Sequence, residues 1–153
     1  MALTGVPVLS GRFSLEIGDY DSISIQEVTM PEISVEYSTY SDDGREYKNP
    51  AKTKIGELVL KKVKDTGSRS DNWAWDWLNS VVNFGGAANV PSVIKKNGRL
   101  VVYDTAGVPV EMYGFEGAFP SKLNPGTLNK DSADNLIEEV TLTLDWFYQI
   151  PLL

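Results

Sequence analysis

At 153 residues, with 42% apolar and 23% charged side chains, the chain has the make-up of one domain able to bury a core. It holds no histidine and no cysteine, which excludes Ser-His-Asp and Cys-His catalysis, histidine metal sites and disulfides. Its net charge of −7 speaks against a nucleic-acid surface, which needs a basic patch. No stretch approaches the roughly 18 uninterrupted apolar residues of a membrane span. The opening MALTGVPVLSGRF has no basic residues ahead of its apolar letters, so the expectation is a chain without a leader that folds in the cytoplasm.

In chain order the pattern is mostly strands. GRFSLEI at 11–17 alternates Phe13, Leu15 and Ile17 with Arg12, Ser14 and Glu16. DSISIQEV at 21–28 is a second, kinked segment, carrying Ile23 and Ile25. EISVEYS at 32–38 alternates most cleanly, Ile33, Val35 and Tyr37 against Glu32, Ser34, Glu36 and Ser38. Such alternation predicts one buried and one wet face. Residues 39–53 are polar, with Asp43-Gly44 and Asn49-Pro50 as breakers, and read as a long functional loop between strands, with a floppy hairpin tip as the plainer alternative. A strand returns at IGELVLKKV, 55–63. The lysines of KKVK at 61–64 read as solvated strand and turn residues.

The segment DNWAWDWLN at 71–79 holds Trp73, Trp75 and Trp77. As a strand it would present three rings on one face, a platform for a sugar. Plotted at about 100° per residue, residues 71–84 sort better. Trp73, Trp77, Val81 and Phe84 lie together, with Leu78, Val82 and Trp75 beside them. Asn72, Asp76, Asn79 and Ser80 fill the rest. Ser70 or Asp71 suits an N-cap, and Gly85-Gly86 a left-handed C-terminal cap. A helix over about 71–84 is predicted, with Trp73 and Trp77 anchored in the core. Its apolar arc is wider than one sheet needs, which makes Trp75 a candidate subunit contact.

Further strands are expected near 91–96 and 99–104, joined at Asn97-Gly98, a preferred hairpin turn. A second hairpin runs from LVVYD through Ala106-Gly107 to VPVEMYGFEGAF. Asn124-Pro125-Gly126 fits a type II turn. In the last strand, Val140, Leu142, Leu144 and Trp146 point one way, and Glu139, Thr141, Thr143 and Asp145 the other. The sum is one mainly β domain over 1–153, an antiparallel sandwich or barrel with one α-helix.

No catalytic, cofactor or metal site emerges. Asp42-Asp43 and Glu138-Glu139 are neighbours in sequence and face apart on strands. Glu32 and Glu36 share a face that reads as the wet side of a sheet. FGGAAN and GFEGAF match no phosphate loop, and SDDGREYKN lacks the acidic end of a calcium loop.

The order of elements carries a resemblance. F-x-L-x-I at Phe13, Leu15 and Ile17 is followed by a strand pair around a long polar segment. L-x-L-K-K at Leu58, Leu60, Lys61 and Lys62 follows, then the W-x-W-x-W helix. The block Glu111 and Glu116-Gly117 through Leu123 leads into the acidic-alternating last strand. From about residue 1 to 149 this resembles the tail tube proteins of contractile phages and phage-tail-like contractile injection systems. The tryptophan content of the helix and the 39–53 segment depart from the family pattern.

The resemblance implies a structural subunit and no enzyme. Sixfold rings, with strands from six copies closing one barrel, stack into a hollow inner tube that a contracting sheath drives through a target envelope. The expected partners are the chain itself, the sheath, baseplate and spike proteins, a terminator cap, and cargo protein or DNA in the lumen, with no membrane anchor. The particle is expected to be built in a bacterial cytoplasm and to work there, outside the cell or in a virion. A contractile injection system is the first reading and a phage tail conducting DNA the alternative. A carbohydrate-binding sandwich using Trp73, Trp75 and Trp77 is the remote one. Glu32, Ser34, Glu36, Glu57 and Lys61 are the candidate lumen wall, with Glu139, Thr141, Thr143 and Asp145 the next choice. Asp42, Asp43, Arg45, Glu46 and Lys48 are the candidate ring-stacking contacts.

Overall fold

The computed structural model describes residues 12–18, 25–63, 73–82 and 94–152. Among the described residues nine strands and a helix follow in order: β1 Phe13–Ile17, β2 Glu27–Thr29, β3 Ile33–Asp42, β4 Arg45–Ile55, β5 Leu58–Val63, α1 Trp73–Val81, β6 Lys96–Tyr103, β7 Pro109–Asn124, β8 Ile137–Thr143 and β9 Trp146–Ile150. The fold is mainly β and every pairing is antiparallel. Seven strands form one sheet in the order β1-β6-β7-β8-β5-β2, with β9 also on β7. The long β7 is the spine, pairing β6 and β9 along its first part and β8 along its last. Leu15 and Ile17 from one end of the sheet and Leu58 and Leu60 near the other join a single core with Trp73, Trp77, Phe115, Leu142 and Phe147.

The helix forms where its periodicity predicts it. Trp73, Ala74, Trp77 and Val81 are buried, Asp76, Asn79 and Ser80 are exposed, and Trp75 is half-buried. Trp77 donates its ring N–H to the Ile94 carbonyl at 2.8 Å, which satisfies the polar edge of a ring only 1% exposed. The expected caps at 70–71 and 85–86 lie outside the described residues, as do Ile23 of the second segment and Phe84.

Several expectations are revised. Residues 39–53 are not a loop. They are the outer part of the β3–β4 hairpin, which closes on Asp43 and Gly44 with φ of 50° and 76°. Positive φ at both central residues is the turn that matches strand twist. Pro50 breaks nothing, because it sits on an edge strand opposite Tyr37. Asn97-Gly98 is likewise no turn. It lies inside β6 at a register shift. A Cβ on Gly98 would sit 2.3 Å from the Phe115 ring and 2.5 Å from the Glu16 carbonyl oxygen, so glycine serves close approach there.

The Ala106-Gly107 hairpin is as expected, with Asp104 accepting from the Ala106 and Val108 amides, each at 2.9 Å. The last strand splits in two at Leu144–Asp145. Asp145 donates its amide to the Glu116 carbonyl, and the space above Gly117, at φ 66°, holds its carboxylate. No residue is added, since Glu116↔Trp146 and Phe119↔Thr143 keep one register; β7 and the last strand switch facing together around Gly117 and Asp145. Phe147 is therefore buried and Trp146, expected on the side of Val140, Leu142 and Leu144, is 45% exposed. Lys62, expected in solvent, is 1% exposed, because on β5 it alternates with Lys61 on the side of Leu58 and Leu60.

Candidate functional site

Two regions could carry a role beyond folding. The first is the β3–β4 hairpin, an arm about ten residues long. At about 3.3 Å per residue it measures roughly 30 Å. It continues the β2–β5 pair, since Thr29↔Val59 and Ile33↔Ile55 keep one register and the Gly56 amide bonds the Glu32 carbonyl at 2.8 Å. Beyond that bend all ten residues of β3 and all of β4 except Ile55 are exposed.

Alternation gives the arm two distinct faces. One carries Ile33, Val35, Tyr37 and Ile55, with Lys48 placing its ammonium 5.2 Å from the centre of the Tyr37 ring. The other carries Ser34, Glu36 and Lys54, joined by the Lys54–Glu36 ion pair, then Tyr40 stacked on Tyr47 at 5.2 Å. Ile33, Val35 and Tyr37 are 50%, 52% and 61% exposed, although their alternation predicted a buried face. A two-stranded hairpin exposed on both sides is marginal by itself in water, and this one presents an apolar face that is left open among the described residues.

The structure groups some of the predicted site residues and separates others. Asp42, Asp43, Arg45, Glu46 and Lys48 come together at the tip of the arm. Ser34 and Glu36 lie on the Tyr40 face of the arm, with exposed Glu32 just before it. Glu57 and Lys61 alternate with the buried Leu58 and Leu60 and so lie on the outward side of β5. There Lys61 stands between its register partners Glu27 and Glu139. Counted through the shared register, Glu32, Ser34 and Glu36 have the opposite parity to Glu57 and Lys61, so the five do not form one face.

The second region is under the helix. Lys62 and Glu138 are direct cross-strand partners on β5 and β8, both buried, with Nζ 3.7 Å from Oε1. Trp75 donates its ring N–H to Glu138 Oε2 at 3.1 Å, and the Lys62 ammonium lies 5.7 Å from the centre of the Trp73 ring. The helix is thus seated on a buried ion pair by two of its tryptophans. The pattern hid this arrangement, because Glu138 and Lys62 each sit beside a more exposed residue of like charge.

Nothing in either region is arranged for chemistry. Among the described residues no three acidic side chains converge to hold a metal. The resolved pKa perturbations are structural. The Glu16 carboxylate, hydrogen-bonded to Arg99 at 2.7 Å, raises that guanidinium, and the hydrogen bond to Glu111 raises the Tyr113 phenol. No helix among the described residues is long and apolar enough to cross a membrane.

Comparison with known proteins gives the frame. The sequence profile described as T4-like virus tail tube protein gp19 matches residues 10–147. No curated protein sequence is similar enough to count as a match. Among solved structures, the chain is similar to one from the sheath/tube terminator of the extracellular contractile injection system PVC in its extended state. Identity is 23% and the TM-score 0.81, over 97% of this chain and 100% of that one. It is similar to a chain of the anti-feeding prophage tube-terminating cap, at 19% identity and TM-score 0.83, over 99% and 96%. Hcp1 from Flavobacterium johnsoniae is more distant, at 17% identity and TM-score 0.52, over 90% and 94%.

Proposed function

The chain belongs to the tail tube family described as T4-like virus tail tube protein gp19, a structural family and not an enzyme, and from that premise we propose how it assembles and what it conducts. Copies join into six-membered rings, the rings stack, and the product is the hollow inner tube of a contractile injection apparatus. A sheath surrounds the tube, a baseplate with a spike and a terminator cap close its ends, and cargo protein travels in the lumen. The observation that carries this reading is the arm. Its apolar face is patterned for burial yet is open among the described residues, and in this reading a neighbouring copy covers it. The chain's likeness to a terminator chain of one such system and a cap chain of another supports the choice of machine.

Within this reading the tip residues Asp42, Asp43, Arg45, Glu46 and Lys48 meet the next ring. They offer both charge signs at the end of a long lever. Single contacts of that kind are weak, but every ring repeats them. The outward side of β5, with Glu57 and Lys61, and the Ser34–Glu36 side of the arm, with Glu32 before it, are the two candidate lumen surfaces. Trp75 is held inside the subunit by its N–H and is only half-buried, so its remaining ring surface is the part available to a neighbour.

Electron microscopy of the purified protein tests the proposal. Rings or tubes are expected at high concentration. Replacing residues 41–46 by Asn-Gly closes the arm on the Tyr40–Tyr47 rung, and that protein is expected to fold and form rings without tubes. A wild-type protein that stays monomeric overturns the assembly reading. Normal tubes from the shortened arm overturn the stacking role of the tip.

A further inference from the structure

Four strands finish together at one end of the sheet. Phe13↔Val102 and Val102↔Glu111 form one row across β1, β6 and β7, and Met112↔Ile150 carries the ladder on to β9. Here β1 starts, β6 ends, β7 starts and β9 ends. Arg12 is tied to this end. Its carbonyl accepts from the Tyr103 amide at 2.9 Å, and its guanidinium donates to the Thr105 carbonyl at 3.3 Å. Residues 1–11 therefore join the described structure beside the β6–β7 turn.

The same end holds a hollow of about 280 Å³, lined by Val110, Glu111, Gln149, Ile150, Pro151 and Leu152. Among the described residues its apolar lining is open, with Val110 37% and Leu152 42% exposed and nearby Val108 at 55%. The one carboxylate of the lining, Glu111, already accepts from the Tyr113 hydroxyl at 2.6 Å, so the hollow does not call for a cation. Its volume lies under the roughly 300–1,000 Å³ of small-molecule sites and suits a few aliphatic side chains.

We propose that residues 3–9 of the same chain lie across this end of the sheet and seat their aliphatic side chains in the hollow. The length of the segment and the place where it joins β1 single it out as the occupant. From β1 to β9 is three strand spacings, about 14 Å in all. About five extended residues span that distance at ~3.3 Å per residue. Residues 1–11 contain Leu3, Val6, Val8 and Leu9 and no charged side chain, which matches a lining whose one charge is satisfied within the subunit. Gly5 and Pro7 disfavour a helix, and Pro7 holds Val6 extended. The seated segment ties β1 to β9, which pairs only with β7 among the described residues, and so fastens the last strand to the first. This contact does not depend on the tube reading.

The chain has no cysteine, so a paired-cysteine variant tests the contact directly. Val6→Cys/Leu152→Cys is oxidised at low protein concentration. Val6→Cys/Leu128→Cys is the control, since Leu128 is 86% exposed and lies past the other end of β7. Products are read on non-reducing denaturing gels and by mass spectrometry of tryptic peptides, where the link joins residues 1–12 to 131–153. The Leu152 pair is expected to close within one chain at least tenfold faster than the control. Links between two chains would assign the hollow to a second copy and overturn the proposal, as would equal rates in the two variants. Val6→Asp, melted beside wild type, gives a reading without cysteines. It is expected to unfold about 5 °C lower, because a charge replaces a buried valine. An unchanged melting temperature overturns the proposal.

Discussion

The helix and the arm carry the same kind of sequence signal and meet opposite fates. Both hold rows of aromatic and aliphatic residues at the spacing of their secondary structure. In α1 the row finds cover inside the chain, and Trp77 ends 1% exposed with its N–H bonded. In β3 the row finds none among the described residues, and Tyr37 ends 61% exposed. Periodicity thus states that a face is to be buried and leaves open which molecule buries it. On the proposed assembly the first face serves folding and the second serves contact between copies, and substitutions in the two should separate these effects.

The largest effect on folding is expected at Trp77. Trp77→Ala removes a buried ring and strands the Ile94 carbonyl, a loss of about 3–5 kcal/mol. At roughly 2–4 °C per kcal/mol for a chain of this size, thermal unfolding should shift down by about 10 °C. A shift below about 2 °C would mean that the core does not depend on the ring. The ion pair beneath the helix comes next. Lys62→Met leaves Glu138 buried without its partner ammonium and should cost about 3 kcal/mol. The double variant Lys62→Met/Glu138→Leu should recover most of that, because two apolar side chains of similar size need no desolvated charge. Equal losses in the single and double variants would show that the pair contributes real net stability. A double-mutant cycle by chemical denaturation measures the difference.

The helix was legible from Trp73 to Val81 because period and polar sector agreed. The strands were legible wherever one face met the core. The errors share a cause, which is tertiary use of residues whose local propensity points elsewhere. Gly98 looked like a turn, but it makes room for Phe115 and the Glu16 carbonyl. Asp145 tucks its carboxylate over Gly117, where both strands switch facing without a change of register and Trp146 turns outward, and no alternation count anticipates such a paired switch. Polar composition made 39–53 look like a loop, whereas Thr39, Tyr40 and Tyr47 are good strand formers and cross-strand pairs support the arm. The five tip residues could be grouped because the turn at Asp43-Gly44 could be seen. The lumen candidates were grouped across a register that sequence does not show, and they separate onto opposite sides.

The smallest effect on folding and the sharpest test of the contrast belong to Val35→Asp. The side chain is 52% exposed and is not part of the buried core, so stability should change by no more than about 0.5 kcal/mol. In an assembled tube the same position would be desolvated, and an unpaired carboxylate buried there is strongly unfavourable. The variant should therefore melt like wild type and fail to form tubes, read by parallel thermal unfolding and electron microscopy. The reverse result, early melting with assembly intact once folded, would place Val35 with Trp77 as a folding residue and remove the distinction between the two regions. Normal melting with normal tubes would leave this apolar face without a role in assembly.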